Sequence, residues 1–295
     1  MNHVPFFLNP EARSARSIHL RRWLADRKGL FDIVEPTSPE HMQESLRECA
    51  RKGLETVAVA GGDGTLRLAA GALAGTETKL VVIPSGTVNV FAREIGIGSG
   101  NFDRALQAYN QGCIKEVDVF AVNGEPFLQM AGIGIDGRAV ELTTSQAKKK
   151  WGPIAYGIAG LKAACEPQPR LRITLSDGRI EEGIAVIMGN GARYGGSWTM
   201  FGDADNADGL LDVLVFRRHM GTIIKDCLHA FLRGGFSPVM KGDFSYLKVE
   251  GCSIDPVDTP ASYELDGDFG GHGALKIEKH PGNLKVFVPS SKPSK

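Results

Sequence analysis

The stretch VAVAGGDGT, residues 57–65, decides the fold because an apolar run of strand type ends directly in a glycine-rich turn. Glycines at the end of a strand let the backbone approach a phosphate group and present N–H groups to it. The stretch is neither a Walker A loop, because no Lys follows at the required spacing, nor a Rossmann fingerprint. It predicts a phosphate-binding loop of a third kind, against the alternative that Asp63 caps a helix and the glycines form a tight turn.

A second glycine turn follows the next apolar run. LVVIP, residues 80–84, has the continuous apolar character of a strand buried on both faces, and SGTVNVFAR follows it over residues 85–93. Gly86, Thr87 and Asn89 offer amides, a hydroxyl and a carboxamide near the start of a helix. Because the carboxyl ends of parallel strands meet at one edge of a sheet, we expect both glycine turns at that edge.

The whole chain divides into two regions of different sequence pattern. In residues 1–124, β-like and helical runs alternate, which predicts an α/β nucleotide-binding domain with a parallel sheet. In residues 125–283, β-rich runs are separated by Asn-Gly and Asp-Gly dipeptides, which predicts a mainly antiparallel, sandwich-like second domain. Residues 284–295 contain one more strand and a tail, and the sequence leaves open whether this strand packs back on the first domain. The expected strands in the first region are residues 4–8, 31–34, 56–60 and 80–84, and the expected helices are 16–28 and 39–51.

The composition narrows the class of protein. Hydrophobic residues make up 42% and charged residues 23% of the 295 residues, which is typical of a folded globular chain. Lys plus Arg and Asp plus Glu both number 34, so no overall charge attracts nucleic acid, and we expect no nucleic-acid partner. The five cysteines form no CxxC pair, which suits a reducing cytosol. No apolar run approaches the roughly 20 residues of a spanning helix, so we expect a cytoplasmic protein with at most peripheral contact at the inner membrane face.

The GGDGT motif at residues 61–65 and the GTVNVFAR segment at residues 86–93 resemble the diacylglycerol kinase catalytic family, which includes bacterial lipid kinases and is related to sphingosine kinases. The resemblance continues through AGIGID, WGPIAY, DGLLD and LDGD, which begin at residues 131, 151, 208 and 265. It implies a two-domain kinase that uses ATP and Mg²⁺ to phosphorylate a diacylglycerol-like or sphingoid lipid in a cleft between the domains.

The resemblance also implies roles for single residues. Asp63 would act electrostatically through the metal or its waters, and Asp266 would be the general base that takes the proton from the lipid hydroxyl. Taken alone, Asp266-Gly267 is a common hairpin-turn dipeptide, so the role of base depends on the resemblance. The residues implied in binding the nucleotide and magnesium are Asn9, Gly61, Gly62, Asp63, Gly64, Thr65, Gly86, Thr87, Asn89 and Asp268.

A structural Mg²⁺ or Ca²⁺ is implied as well, bound by Asp208 and by oxygens at Asp205 and Leu210, against the alternative of a solvated turn aspartate. The chain departs from the family pattern at three places. Glu11 and Ala12 follow Asn9-Pro10 where Ser-Gly is usual, Val90 stands where Asp is frequent, and Asp268 stands where Glu is usual.

Other functions and contacts stay open. NAD kinases and phosphofructokinases share a related loop and would place a soluble substrate in the same cleft, and a third hypothesis is a non-catalytic lipid or nucleotide binder. The run Lys148-Lys149-Lys150-Trp151, beside Ile154 and Tyr156, is a candidate membrane contact, against an ordinary solvated lysine run. Neither the identity of the lipid nor the oligomeric state follows from the sequence, and a homodimer stays open.

Overall fold

The computed structural model describes residues 3–8, 15–27, 29–143, 153–218 and 220–290. The chain divides into two compact units, the first formed by residues 1–119 with 280–295 and the second by residues 120–279. The boundaries that the sequence predicted, after residues 124 and 283, each lie a few residues C-terminal to the observed ones. The difference arises because the first hairpin after residue 119 pairs with a strand of the second unit.

The described residues of the first unit form one six-stranded sheet and five helices. Its strands are β1 (Val4–Leu8), β2 (Phe31–Val34), β3 (Thr56–Gly61), β4 (Lys79–Pro84), β5 (Cys113–Val117) and β20 (Leu284–Val288). Its helices are α1 (Ala15–Ala25), α2 (Pro39–Arg51), α3 (Asp63–Leu73), α4 (Val90–Glu94) and α5 (Phe102–Gln111). The strand order is β2-β1-β3-β4-β20-β5, parallel from β2 to β20 and antiparallel between β20 and β5.

Strands β3 and β4 form the buried centre of this sheet. Residues 57–61 and 80–84 are all buried, which is why both read as continuous apolar runs. Ala60 pairs with Ile83 and Gly61 with Pro84, so the two strands end level with each other. The two glycine turns therefore leave the sheet at the same edge, as the sequence predicted.

Local signals fix where α2 begins. Ser38 is its N-cap and accepts a hydrogen bond from the His41 N–H at 3.1 Å, and Pro39 occupies the first helical position. The last strand, β20, lies between β4 and β5 and so belongs to the first unit, which settles the point that the sequence left open.

The second unit is built from two six-stranded antiparallel sheets and a two-stranded ribbon. One sheet has the order β10-β9-β16-β19-β6-β7 and the other β15-β14-β11-β8-β17-β18. The strands of the first of these are β6 (Phe120–Val122), β7 (Glu125–Phe127), β9 (Leu171–Leu175), β10 (Ile180–Gly183), β16 (Gly251–Pro256) and β19 (Leu275–Lys279). Those of the second are β8 (Met130–Ile133), β11 (Ala185–Gly189), β14 (Leu211–Phe216), β15 (Phe244–Val249), β17 (Ser262–Leu265) and β18 (Asp268–His272). The ribbon is β12 (Arg193–Tyr194) with β13 (Trp198–Thr199), and the helices among the described residues are α6 (Ile135–Leu142), α7 (Pro153–Cys165) and α8 (Met220–Arg233).

One apolar core joins the two large sheets. Phe120 and Ile173 from one sheet share a single buried cluster with Ile133, Val186 and Val213 from the other. Side chains at alternate strand positions thus meet between the sheets, as in a sandwich. The predicted fold class, a parallel α/β domain followed by a sandwich-like antiparallel domain, is confirmed.

Within the described parts of the chain, no helix has the length and apolar character needed to cross a membrane.

Candidate active site

The first glycine turn joins β3 directly to α3. Gly62 is the N-cap of α3 and has no side chain to accept the first N–H groups of the helix. A Cβ on Gly61 would lie 2.3 Å from the Cβ of Thr65, so only glycine lets the helix begin this close to the strand. Because the helix dipole adds positive potential at this end, the start of α3 is suited to an anion such as phosphate.

The second glycine turn packs backbone to backbone against the first. The N–H groups of Ser85 and Gly86 both donate to the Gly61 carbonyl oxygen at 3.1 Å. A Cβ on Gly86 would lie 2.4 Å from the Gly62 Cα, whereas a Cβ on Gly62 would lie 3.5 Å from the Gly86 Cα, an ordinary contact. The close approach of the two turns thus requires glycine at position 86 in particular.

Asn89 holds the second turn together from inside. It is fully buried and has a φ of 54°, a left-handed conformation that Asn tolerates better than most residues. Its Oδ1 accepts the Gly86 N–H at 3.1 Å, while its Nδ2 donates to the Gly86 carbonyl at 2.7 Å and to the Ser99 Oγ at 2.9 Å. The carboxamide expected to face the nucleotide is therefore engaged in bracing the turn.

Asp63 links the two turns. Its Oδ1 accepts the N–H of Phe91, in the first turn of α4, at 3.0 Å. Burial raises the pKa of the Asp63 carboxyl, and backbone N–H groups, Phe91 first among them, offset part of that effect. Asp63 thus does cap a helix, as the alternative interpretation held, but the helix belongs to the opposite turn.

In the second unit, the AGIGID segment leads from β8 into α6. A Cβ on Gly132 would lie 2.1 Å from the Asp136 Oδ2, so this glycine leaves room for the carboxyl group. Gly134 has a φ of 90°, and a Cβ there would lie 2.5 Å from the Ile184 carbonyl oxygen. The two glycines place Asp136 in the first turn of α6, folded back over its own strand.

Asp136 and Glu264 form a carboxyl pair. Glu264 is buried on β17 opposite Gly132 of β8, and its Oε2 accepts the Gly267 N–H at 2.6 Å. The Tyr194 hydroxyl donates to the Asp136 Oδ1 at 2.5 Å. Among the described residues, no other N–H or O–H group donates to the remaining buried oxygens, Asp136 Oδ2 and Glu264 Oε1, so a proton on one carboxyl is the donor that satisfies both.

Burial, and then the Asp136 charge, raise the pKa of Glu264 well above its ordinary value. Burial also raises the pKa of Asp136, although the Tyr194 hydroxyl opposes this effect. We therefore place the shared proton on Glu264, where it donates to an ionised Asp136.

Asp266 lies in the turn of the β17–β18 hairpin. Asp266 and Gly267 both have positive φ, 50° and 85°, as a two-residue hairpin turn requires. The Asp266 carboxylate accepts three backbone N–H groups, from Leu128 at 2.8 Å, Gln129 at 2.8 Å and Met130 at 3.0 Å. These bonds tie the hairpin to the segment before β8 and fix the orientation of the carboxylate.

At Asp208, the Lys248 ammonium group lies among oxygen atoms of three aspartates. The Asp208 Oδ1 accepts the Leu210 N–H at 2.9 Å, and its Oδ2 accepts from the Lys248 Nζ at 3.1 Å. Lys248 also donates to the Asp203 carbonyl at 2.9 Å and lies 3.7 Å from an Asp212 carboxylate oxygen. An ammonium group thus supplies positive charge at the place where the resemblance implies a structural cation. The described residues form no cluster of three or more His, Cys, Asp or Glu side chains suited to a metal. A site of one carboxylate with backbone oxygens is not such a cluster, so this metal stays a prediction.

The other residues predicted to bind the nucleotide or the membrane lie at the surface, in the first turn of α3, or outside the described residues. Thr87 and Asp268 are exposed, Asp268 at the start of β18. Gly64 and Thr65 lie in the first turn of α3. Asn9 and the run Lys148-Lys149-Lys150-Trp151 lie outside the described residues.

Sequence reasoning missed Glu264, Tyr194 and Lys248. An acidic residue within an otherwise strand-like run, two positions before Asp266, was a signal for Glu264, because acidic side chains are rarely buried in strands unless they have a partner. Nothing in the sequence indicated that Tyr194 or Lys248 would meet distant carboxyl groups.

Comparison with known proteins covers both units. The model of the diacylglycerol kinase catalytic domain matches residues 3–122, and that of the YegS C-terminal NAD kinase beta sandwich-like domain matches residues 129–288. A probable lipid kinase YegS-like protein of Pseudomonas aeruginosa (strain UCBPP-PA14) is 32% identical over 255 residues, 84% of this chain and 81% of that protein. A diacylglycerol kinase of Bacillus subtilis (strain 168) is 28% identical over 258 residues, 84% of this chain and 82% of the relative.

A solved structure has the same fold along almost the whole chain. The crystal structure of a putative diacylglycerol kinase from Bacillus anthracis str. Sterne superimposes with a TM-score of 0.79 at 25% identity, covering 97% of this chain and 95% of that one. Both glycine turns, the AGIGID segment and the Asp266 hairpin lie within the matched regions. The chain therefore belongs to the diacylglycerol kinase catalytic-domain family of lipid kinases and carries the YegS type of C-terminal domain.

Proposed function

We propose that this protein is an ATP- and Mg²⁺-dependent kinase that transfers the γ-phosphate of ATP to a lipid hydroxyl. The observation that carries the proposal is the pair of glycine turns, joined through the Gly61 carbonyl and the Asp63 carboxylate, in a member of a lipid kinase family. A backbone surface of this kind, at the start of a helix, recognises phosphate without a Walker lysine.

The nucleotide phosphates would bind at the first turn of α3. Gly61, Gly62, Gly64 and Thr65 would approach them directly, and the second turn would close against them through Gly86 and Thr87. Asp63 and Asn89 would act as braces, because their polar atoms already hold the two turns in place. Asn9 and Asp268 complete the proposed nucleotide contacts.

Carboxylate oxygens are hard donors that suit Mg²⁺. Because the Asp63 Oδ1 already accepts a backbone N–H, we propose that Asp63 acts on the ion through the water molecules of the ion. When bound, Mg²⁺ would neutralise charge on the transferred phosphoryl group.

Asp266 is the proposed base. In a loose phosphoryl-transfer transition state the base orients the hydroxyl and accepts its proton late. The position of the carboxylate therefore matters more than its basicity. Three backbone N–H donors fix the Asp266 carboxylate in one orientation. Glu264 supports the same turn through the Gly267 N–H.

The substrate would be diacylglycerol-like or sphingoid, since the relatives bear the names diacylglycerol kinase and probable lipid kinase. We propose that the protein reaches this substrate from the cytoplasm, at the inner face of the membrane. The five cysteines are free in the structure, which supports a reducing compartment.

The test is to incubate the protein with Mg²⁺, γ-labelled ATP and a panel of single detergent-dispersed lipids: diacylglycerol, phosphatidylglycerol, a long-chain base and ceramide. A labelled product with one or more of them supports the proposal and names the substrate class. If no lipid accepts label while ATP still binds, the chain is a binder and the proposal fails.

A further inference from the structure

Helix α8 has two apolar faces, and the described part of the chain buries one of them. Ile223, Cys227 and Ala230 pack into the cluster that contains Phe216, Phe236 and Phe244. A surface helix normally carries polar residues on its other side. Here the opposite side presents four large apolar side chains: Ile224, Leu228, Phe231 and Leu232, exposed by 53%, 59%, 61% and 75%.

These four residues, which we call the α8 outer face, recur at the spacing of helix turns and so form one stripe. Val239, further along the chain, is another exposed apolar residue, at 88%. Four bulky apolar side chains on one face of a helix form a contiguous patch, and such patches mark an interaction surface.

The exposed charge on this helix and the segment after it is mostly basic. Residues 217–241 contain five Lys or Arg residues and a single acidic residue, Asp226. Two of the five, Arg217 and Arg218, pair with Glu181 and Asp243, which leaves three basic residues for an outside partner. Asp226 is buried and accepts the Asp243 N–H at 2.9 Å, so it contributes little to the surface. Lys225 is 71% exposed, and Arg233 and Lys241 are also exposed.

We propose that the α8 outer face docks on the surface of an anionic lipid membrane, with its apolar stripe in the interface and its basic residues against the headgroups. A helix with Leu and Phe on one face and Lys and Arg beside them has the pattern of an interfacial helix. Lipid phosphates supply the negative charge that this segment lacks.

A second copy of the chain is the less suitable occupant. Twofold pairing through the same face would bring the basic residues of both copies together, which like-charge repulsion opposes. Docking would bring the protein to the substrate named under the proposed function, so its benefit to turnover rests on that function. Binding itself requires neither ATP nor transfer and can be measured separately.

The experiment is sedimentation of the full chain with vesicles of phosphatidylcholine containing phosphatidylglycerol, and with vesicles of pure phosphatidylcholine, without nucleotide. The wild type should prefer anionic vesicles and lose much of this preference at high salt, where charges are screened. Phe231→Ser with Leu232→Ser should weaken binding at least about tenfold because two apolar side chains no longer leave water. Lys225→Gln, Arg233→Gln and Lys241→Gln together should weaken it on the order of a hundredfold, at about fivefold for each charge.

The matched control is Ile180→Ser, which removes an equally exposed apolar side chain from β10. It should bind as the wild type does, and all variants should keep the wild-type circular dichroism and melting temperature because the altered side chains are exposed. Unchanged binding by the α8 variants overturns the proposal, as does loss of binding only when Lys148, Lys149 and Lys150 are replaced. A dimer in sedimentation velocity that the Phe231 and Leu232 changes dissociate, without vesicle binding by the wild type, also overturns it. Vesicle binding without phosphoryl transfer would instead count against the proposed function alone.

Discussion

Glu264→Gln should stabilise the protein, and by an amount that grows with pH. In the wild type the buried Glu264 carboxyl keeps its proton in the folded state, because burial and the Asp136 charge raise its pKa far above 4.5. The unfolded chain releases this proton above about that value. Since the folded state then binds one proton more, the free energy of unfolding of the wild type falls as pH rises through this window.

The size of the effect follows from the linkage relation. One retained proton gives a slope of about 1.4 kcal/mol per pH unit, so a rise from pH 5 to 7 costs the wild type up to about 2.7 kcal/mol. Glutamine removes the titration but keeps the contacts, because its Oε1 can accept the Gly267 N–H and its amide can donate to Asp136. The variant should lack this slope.

The assay is urea unfolding of the wild type and the variant at several pH values from about 5 to 8, with stability extrapolated to water. Glu166→Gln is the control, because the hydrogen bond from Arg138 lowers the pKa of Glu166. Stability from Glu166 is lost as pH falls through its lowered pKa, so this control should keep the wild-type slope above about pH 5. Equal slopes in wild type and Glu264→Gln, or a less stable variant at pH 7, would refute the shared proton.

Further changes test the glycine turns, the lysine and the base. Gly86→Ala should lower the free energy of unfolding by about 1–3 kcal/mol and weaken ATP binding, because its Cβ would lie 2.4 Å from the Gly62 Cα. The control Gly62→Ala, whose Cβ would lie 3.5 Å from the Gly86 Cα, should melt close to the wild-type temperature. Equal destabilisation by the two changes would contradict this geometry. Asn89→Gly, which keeps the left-handed φ available, should still lower stability by about 1–3 kcal/mol since the Gly86 carbonyl and the Ser99 hydroxyl lose the hydrogen bonds that the Asn89 amide donates. Chelation of divalent ions separates the two possible sources of positive charge at Asp208: if the Lys248 ammonium group supplies it, EDTA should leave the wild-type melting temperature unchanged and Lys248→Met should lower it, whereas a wild type that EDTA destabilises holds the predicted cation. Asp266→Ala should abolish transfer while ATP titration still shows binding, and near-normal turnover would remove Asp266 as the base.

Much of the fold was predictable because local patterns and tertiary structure agree. The apolar runs of β3 and β4 are continuous since both faces are buried, and Ser38 with Pro39 marks the start of α2. The position of β20 was not predictable, because a short alternating strand can join either unit and only its pairing with β4 and β5 decides.

The site was predictable to a lesser degree. The glycines of both turns indicate that the backbone comes close to another group there, and the GGDGT motif identifies the residues of the first turn. The hydrogen bonds of Asp63 and Asn89 could not be predicted. Asp63 accepts an N–H from the opposite turn, 28 positions away, and Asn89 bonds within its own turn. The Asp136–Glu264 pair joins a residue of α6 to a residue of β17, more than a hundred positions apart, so no local spacing reveals it.

The most direct test of the central claim is one reaction that contains Mg²⁺, γ-labelled ATP, the panel lipids in detergent, NAD and fructose 6-phosphate, followed by solvent extraction. The lipid kinase account predicts label in the organic phase, dependent on Mg²⁺ and absent with Asp266→Ala. Label confined to NAD or the sugar phosphate in the aqueous phase would contradict it.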